Sequence, residues 1–247
     1  MDCGPVMRNC TTLGRSPLRY RRDHAPAWLG LDIGGGDGVH APWLAGMCDR
    51  LVVSDILDYV GGFGGAHGAW LRDLFARNAI PFDSSHVQFH TIDAERLFYR
   101  DSVFDLTVSI NAFEHIPDPL AAFREAIRVT KPGGVMVVHF DPIWNSPLGH
   151  HLPHLQALAP WQHVVEDEET FIASIRAAGG GDSDVAAFRT MMNRWSYAAF
   201  MGLLTGPLAA AFSFTHIQRW PERMEEEPRA AHGNFALLKA RGFGDDD

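Results

Sequence analysis

Apolar positions along the chain fall in short runs separated by charged and glycine-rich breaks. Residues 28–33 (WLGLDI), 51–56 (LVVSDI), 87–92 (VQFHTI) and 104–110 (FDLTVSI) are mostly apolar, short and bounded by turn formers, the pattern of strands covered on both faces. Residues 118–129 instead place Leu120, Phe123 and Ile127 three to four apart with charges between them. This spacing predicts a helix that stops before Lys131-Pro132-Gly133-Gly134, with a fifth strand at 135–140 (VMVVHF). Strands alternating with helices predict an α/β fold built on a mostly parallel sheet. Residues 61–68 (GGFGGAHG) precede helical spacing at 70–77 and read as a mobile surface loop rather than a gate over a substrate.

Beyond residue 141 the texture changes. Pro, His and Trp crowd residues 142–163, an acidic run occupies 166–169, and three glycines stand at 179–181, which together predict a cap inserted at about 141–195. A helix within 193–205 and an antiparallel closing pair, 214–220 (FTHIQRW) with 234–240 (NFALLKA), are expected to follow.

Composition narrows the classes. The chain has 247 residues, 46% hydrophobic and 21% charged, enough for one sizeable α/β domain (27–247) carrying that cap. A net charge of −9 speaks against a nucleic-acid groove, which needs concentrated basic surface. Residues 1–26 run against that balance, with Arg8, Arg15, Arg19, Arg21 and Arg22. They read as a basic, frayed N-terminal arm without the apolar core of an export signal. The longest weakly polar stretch, 201–212, is broken at Gly206-Pro207 and falls short of the ~20 residues that cross a bilayer. Cys3, Cys10 and Cys48 form no CxxC pair, which fits a reducing, cytoplasmic setting.

The first chemical signal is the run 31–38 (LDIGGGDG) at the end of the first expected strand. Glycines there let the backbone pass close to a nucleotide-like ligand. Asp55, at the tip of the next strand, is placed to accept hydrogen bonds from both ribose hydroxyls. Nicotinamide-dependent oxidoreductases share these devices, but their GxGxxG pattern would put a third glycine where Val39 stands.

The combination of 31–38, SDI (54–56), IDAERL (92–97), FDLTVSINAFEHIPDP (104–119) and TKPGGVMVV (130–138) resembles the class I S-adenosylmethionine-dependent methyltransferases of the ubiquinone/menaquinone-biosynthesis type. A looser likeness, in GHHL (149–152) and PW (160–161), is to members with a capped acceptor pocket. The resemblance implies a Rossmann-like, doubly wound sheet of seven strands, mostly parallel with an antiparallel final strand. It implies S-adenosylmethionine as cofactor, with Asp32, Gly34 and Gly36 around its methionine part and Asp55 on the ribose. Ile56 would lie beside the adenine, Asp93 and Ala94 at the ring edge, and Asn111 on the methionine side. The implied partner is a small-molecule acceptor, with no nucleic acid and no membrane, and a homo-oligomer stays open.

A sulfonium is already an activated methyl donor, so alignment and exclusion of water carry most of such a reaction. A hydroxyl acceptor, the favoured one, benefits from a base, and the candidates are His115 past the fourth strand and His150 and His151 in the cap. Trp144, Trp161 and Trp195 are candidates to wall an apolar acceptor pocket. His150, His151 and His154 lack a carboxylate or cysteine partner at ligand spacing, so no metal is expected. The alternatives are an NAD(P)-dependent oxidoreductase on a similar sheet and a non-catalytic nucleoside-binding member of the methyltransferase fold.

Overall fold

The structure is a computed structural model and describes residues 28–214 and 233–241. The expected basic arm lies outside the described residues, as does all of the expected strand at 214–220 except Phe214. The described residues form two compact units, the first made of 28–113 and 121–139 and the second of 114–120, 140–214 and 233–241.

The first unit runs β1 (Leu29–Ile33), α1 (Ala41–Ala45), β2 (Arg50–Asp55), α2 (His67–Arg77), β3 (Val87–Thr91), β4 (Phe104–Ile110), α3 (Pro119–Val129) and β5 (Thr130–His139). Its sheet has the order β3-β2-β1-β4-β5, and every pairing is parallel. The order reverses between β1 and β4, the crevice where doubly wound sheets bind ligands at the carboxyl ends of their strands. Alternation along the strands feeds two cores. Leu51, Val53, Leu106, Val108 and Ile110 pack with Ala41 and Leu44 of α1. Leu31, Ile33 and Val52 pack with Ala126 and Val129 of α3.

Two features of the sheet differ from expectation. Among the described residues it has five strands rather than seven. The segment expected as its antiparallel last strand is a helix of the second unit, Gly233–Ala240. There Phe235 meets the Trp161 ring at 5.5 Å, Asn234 Nδ2 donates to the Pro160 carbonyl at 2.9 Å, and Leu238 is buried. β5 also begins earlier than 135. Phe104 pairs with Thr130 and Leu106 with Val135, so the expected Lys131–Gly134 turn is accommodated as a bulge inside the strand's span, with Gly133 at φ +77°.

Arg128 of α3 ties down the loop between β3 and β4. Its five N–H donors go to Glu125 Oε1 and Oε2, Asp101 Oδ1 and the carbonyls of Leu97 and Tyr99, at 2.7–2.9 Å. Glu125 Oε2 also accepts from the Leu97 N–H at 2.8 Å. Arg128→Ala is expected to lower stability by about 1–3 kcal/mol, read as a reduced midpoint in urea, because it strands several polar partners at once. An unchanged midpoint would remove this role.

The second unit contains α4 (Gln162–Val165), α5 (Glu168–Ala177), α6 (Asp182–Thr190), α7 (Tyr197–Thr205) and α8 (Gly233–Ala240). Its core joins Leu152, Leu155 and Leu158 to Phe171 and Ile175 of α5 and Val185 and Phe188 of α6. Asp167 and Ser196 cap α5 and α7 by accepting the N–H of the residue three positions on.

Candidate functional site

Because β1 to β4 are parallel, the segments that follow them emerge at one edge of the sheet. All eight residues expected to hold a cofactor lie there. Asp32 is the next-to-last residue of β1, Gly34 and Gly36 follow that strand, Asp55 ends β2 and Ile56 follows it. Asp93 and Ala94 follow β3, and Asn111 follows β4.

The Gly-rich turn is fixed by long-range bonds. Gly35 N–H donates to the Ser54 carbonyl at 3.0 Å, and Gly36 N–H donates to Asp55 Oδ2 at 2.8 Å. Gly36 has φ +56°, and a Cβ built on it would meet nothing within 4 Å, so the turn has an open face at this point. Gly34, at φ +68°, instead presses on Ala112, whose Cβ lies 2.3 Å from where a Gly34 Cβ would be. Asp55 Oδ1 accepts from Leu57 N–H at 3.1 Å, so the carboxylate is oriented from both sides.

Asp32 is fully buried, and both of its carboxyl oxygens are without a hydrogen-bond partner. Burial, reinforced by the neighbouring Asp55 charge, pushes its pKa up to about 8. An orphaned acid beside an open turn is a site arranged for a ligand that brings donors or positive charge. On the β3 side a pocket of about 380 Å³ is lined by Ile56, Thr91, Ile92, Asp93, Arg96 and Phe98. Ile56 and Phe98 are 75% and 76% exposed, large apolar side chains open to solvent around a carboxylate, which suits a flat polar-edged heterocycle. Asp93 is oriented by the Glu95 N–H at 2.9 Å, and Ala94 packs on the core. Asn111 has φ +53°; its N–H donates to the His139 carbonyl at 2.7 Å, and its Oδ1 pairs with His139 Nδ1 at 3.1 Å.

The expected catalytic histidines all fall in the second unit. His115 Nδ1 is 2.8 Å from the Met191 carbonyl and donates to it, which leaves Nε2 as a free lone pair. The His151 ring stands edge-on to it at 4.9 Å, and His151 Nε2 donates to the Pro142 carbonyl at 2.7 Å. Burial lowers the pKa of both, so both are neutral imidazoles at pH 7. His150 has other surroundings. It is 2% exposed, its Nδ1 accepts the Leu152 N–H at 3.0 Å, and it packs against His163 and Phe171, as a core side chain does. Trp144, partly buried, stacks on Phe188 beneath Arg194, and Trp161 is buried, so both belong to this unit's packing.

Sequence reasoning passed over Glu114. It is 1% exposed, neither carboxyl oxygen has a hydrogen-bond partner, and burial followed by the Asp141 charge raises its pKa to about 8. His115 Nε2 lies 3.9 Å from its Oε1. The segment Glu114–Ile116 is held by Asn193, which donates from its backbone to the Glu114 carbonyl and from Nδ2 to the Ile116 carbonyl.

Residues 31–138 match the family model described as a methyltransferase domain. That stretch of the chain is similar to methyltransferase domains. An uncharacterized methyltransferase of Mycobacterium sp. (strain JLS) is 32% identical over 123 residues, 49% of this chain and 41% of the relative. One of Mycobacterium leprae (strain TN) is 42% identical over 53 residues, 22% of this chain and 19% of the relative. The chain thus spans less than half the length of these curated relatives. Among solved structures, that of a putative methyltransferase from Bacillus halodurans C-125 is 17% identical with a TM-score of 0.47, covering 82% of this chain and 68% of that one. S-adenosylmethionine is the cofactor of this domain family, and the residues at the sheet edge fit it: an orphaned buried carboxyl, an open glycine and an apolar-sided pocket. No helix among the described residues is long and apolar enough to cross a membrane.

Proposed function

We propose that the protein transfers the methyl group of S-adenosylmethionine to a small-molecule acceptor in the cytoplasm, with a hydroxyl oxygen as the target. The observation that carries the reading is the β1–β2 edge, where the open turn at Gly36 and the doubly oriented Asp55 carboxylate stand together. Asp55 would take the ribose hydroxyls, Ile56 and Asp93 the adenine, and Asp32, Gly34, Gly36 and Asn111 the methionine part. The bound cofactor supplies an electrophilic methyl on a sulfonium. The chain's own contribution is then to align, to exclude water and to accept a proton.

For the proton we favour His115. A neutral imidazole whose Nδ1–H is fixed on a carbonyl offers Nε2 as a base, and this is what favours oxygen over an acceptor that needs no base. His151, edge-on to His115, would orient it, and His150 would serve packing. The net charge of −9 supports a small molecule over nucleic acid.

Calorimetric titration is expected to show S-adenosylmethionine and S-adenosylhomocysteine binding more tightly than NAD; tighter NAD binding would favour the oxidoreductase reading instead. Asp55→Ala is expected to weaken S-adenosylhomocysteine by about 1.5–3 kcal/mol while the protein stays folded, since it removes charge-assisted bonds to ligand and turn. Unchanged affinity would take Asp55 out of the site. Oxygen as target is tested by following release of S-adenosylhomocysteine with a panel of phenols, aliphatic alcohols and amines. Turnover confined to amines would reject it.

A further inference from the structure

Residues 57–67, which follow Ile56 and run into the start of α2, contribute no residue to the site described above, yet Tyr59 and His67 reach the Gly-rich turn from behind. Tyr59 Oη donates to the Gly36 carbonyl at 2.5 Å. His67 Nε2, 2.9 Å from the Asp37 carbonyl, donates to it. These are consecutive carbonyls of the turn whose Gly36 N–H is already held by Asp55.

The segment is itself anchored. Thr91 Oγ1 at the end of β3 donates to the Leu57 carbonyl at 2.7 Å and accepts from the Tyr59 N–H at 3.3 Å. Asp58 Oδ1 gathers the N–H groups of Val60 and Gly61 at 3.0 and 2.8 Å. Tyr59 and His67 are 8% and 4% exposed, and their rings pack on each other at 4.9 Å and on Phe89 at 5.3 and 4.7 Å. The Phe89 ring fills the space behind Gly38, with Cε1 2.6 Å from where a Cβ would stand.

We infer that residues 57–67 are a strap that holds the cofactor turn in its binding conformation, with Tyr59 and His67 as positioning residues acting through the Gly36 and Asp37 carbonyls. A glycine-rich turn has many conformations of similar energy, and any fraction of time spent outside the competent one raises the apparent dissociation constant in proportion. Two hydrogen bonds from buried, packed rings raise the competent fraction before the cofactor arrives. The inference rests on the cofactor reading of this edge, and binding by the wild-type protein tests that reading separately.

The experiment is calorimetric titration of the full chain with S-adenosylhomocysteine. Tyr59→Phe removes one donor and keeps the ring. His67→Gln keeps a donor near the Nε2 position, and His67→Met has nearly the same shape without one. Tyr59→Phe and His67→Met are expected to bind about 3–10-fold more weakly than wild type, and His67→Gln within about twofold of it, from the usual net worth of one hydrogen bond. Melting temperatures of the two His67 variants should agree. If all three variants bind as wild type does, the strap plays no part in cofactor binding. If His67→Gln is as weak as His67→Met, the donor is irrelevant and the inference falls. If wild type itself does not bind, the cofactor assignment fails first.

Discussion

Gly34→Ala is expected to abolish measurable binding of S-adenosylhomocysteine and to lower stability by about 2–5 kcal/mol, the sum of a left-handed alanine and an overlap in a packed place. The backbone there has φ +68°, and the added methyl would lie 2.3 Å from the Ala112 Cβ. Ala112 stands two residues beyond β4 and next to Asn111, whose own φ is +53°, so neither chain has slack to retreat. Relief must come from moving β1's turn off β4, and that turn carries the Gly36 N–H that Asp55 receives. Gly36→Ala makes the contrast. Its φ is also positive, but its Cβ meets no protein atom, so it should melt closer to wild type while still losing ligand affinity, because the methyl projects from the open face. Equal melting of the two variants would show that the Ala112 contact does not constrain the turn.

How much of this was legible in the sequence depends on how local the physics is. β1 to β4 could be read because strands buried on both faces must be apolar along their whole length, and their ends fell within a residue of expectation. The cofactor edge followed, since parallel strands send their succeeding loops to one side. NFALLKA misled because a short apolar run has no decisive period. Phe235 and Leu238 lie three apart on a helix as naturally as two residues alternate on a strand, and the Trp161 ring that receives Phe235 is 74 residues away. Glu114 was hidden for a different reason. His115 attracts notice through its intrinsic pKa, whereas a carboxyl becomes unusual only through burial, which residue type does not encode. Tyr59 and His67 were legible only as aromatic residues misplaced in a glycine-rich loop, a signal for order that the reading of 61–68 as a mobile loop overlooked.

Acid should act on the second unit through two histidines buried without charge. His150 and His163 are 2% and 4% exposed with rings 5.3 Å apart, and burial lowers their pKa values from 6.5 to about 4 and about 3. The sign follows from proton uptake. Below pH 6.5 the unfolded chain binds a proton at each, while the folded unit binds none until near pH 4, so their contribution is complete above 6.5 and is lost as pH falls. From pH 7 to 5 each loses about 2 kcal/mol, together ~4. Asp32 and Glu114 act oppositely. Raised to about 8, they hold protons in the folded state that the unfolded chain has released, so they favour folding as pH falls from 8 toward their ordinary values. The total curve therefore mixes both signs, and a difference isolates the histidines. His163→Gln keeps a donor for the Trp144 carbonyl, which His163 Nε2 reaches at 2.7 Å, and removes the titrating ring. Relative to wild type, its unfolding free energy should improve by about 2 kcal/mol between pH 7 and pH 5, measured by urea titration at both. Hydrogen exchange in α5, whose Phe171 touches both rings, should place the effect in that unit. A difference that stays constant across this range would mean that His163 does not resist protonation in the folded protein.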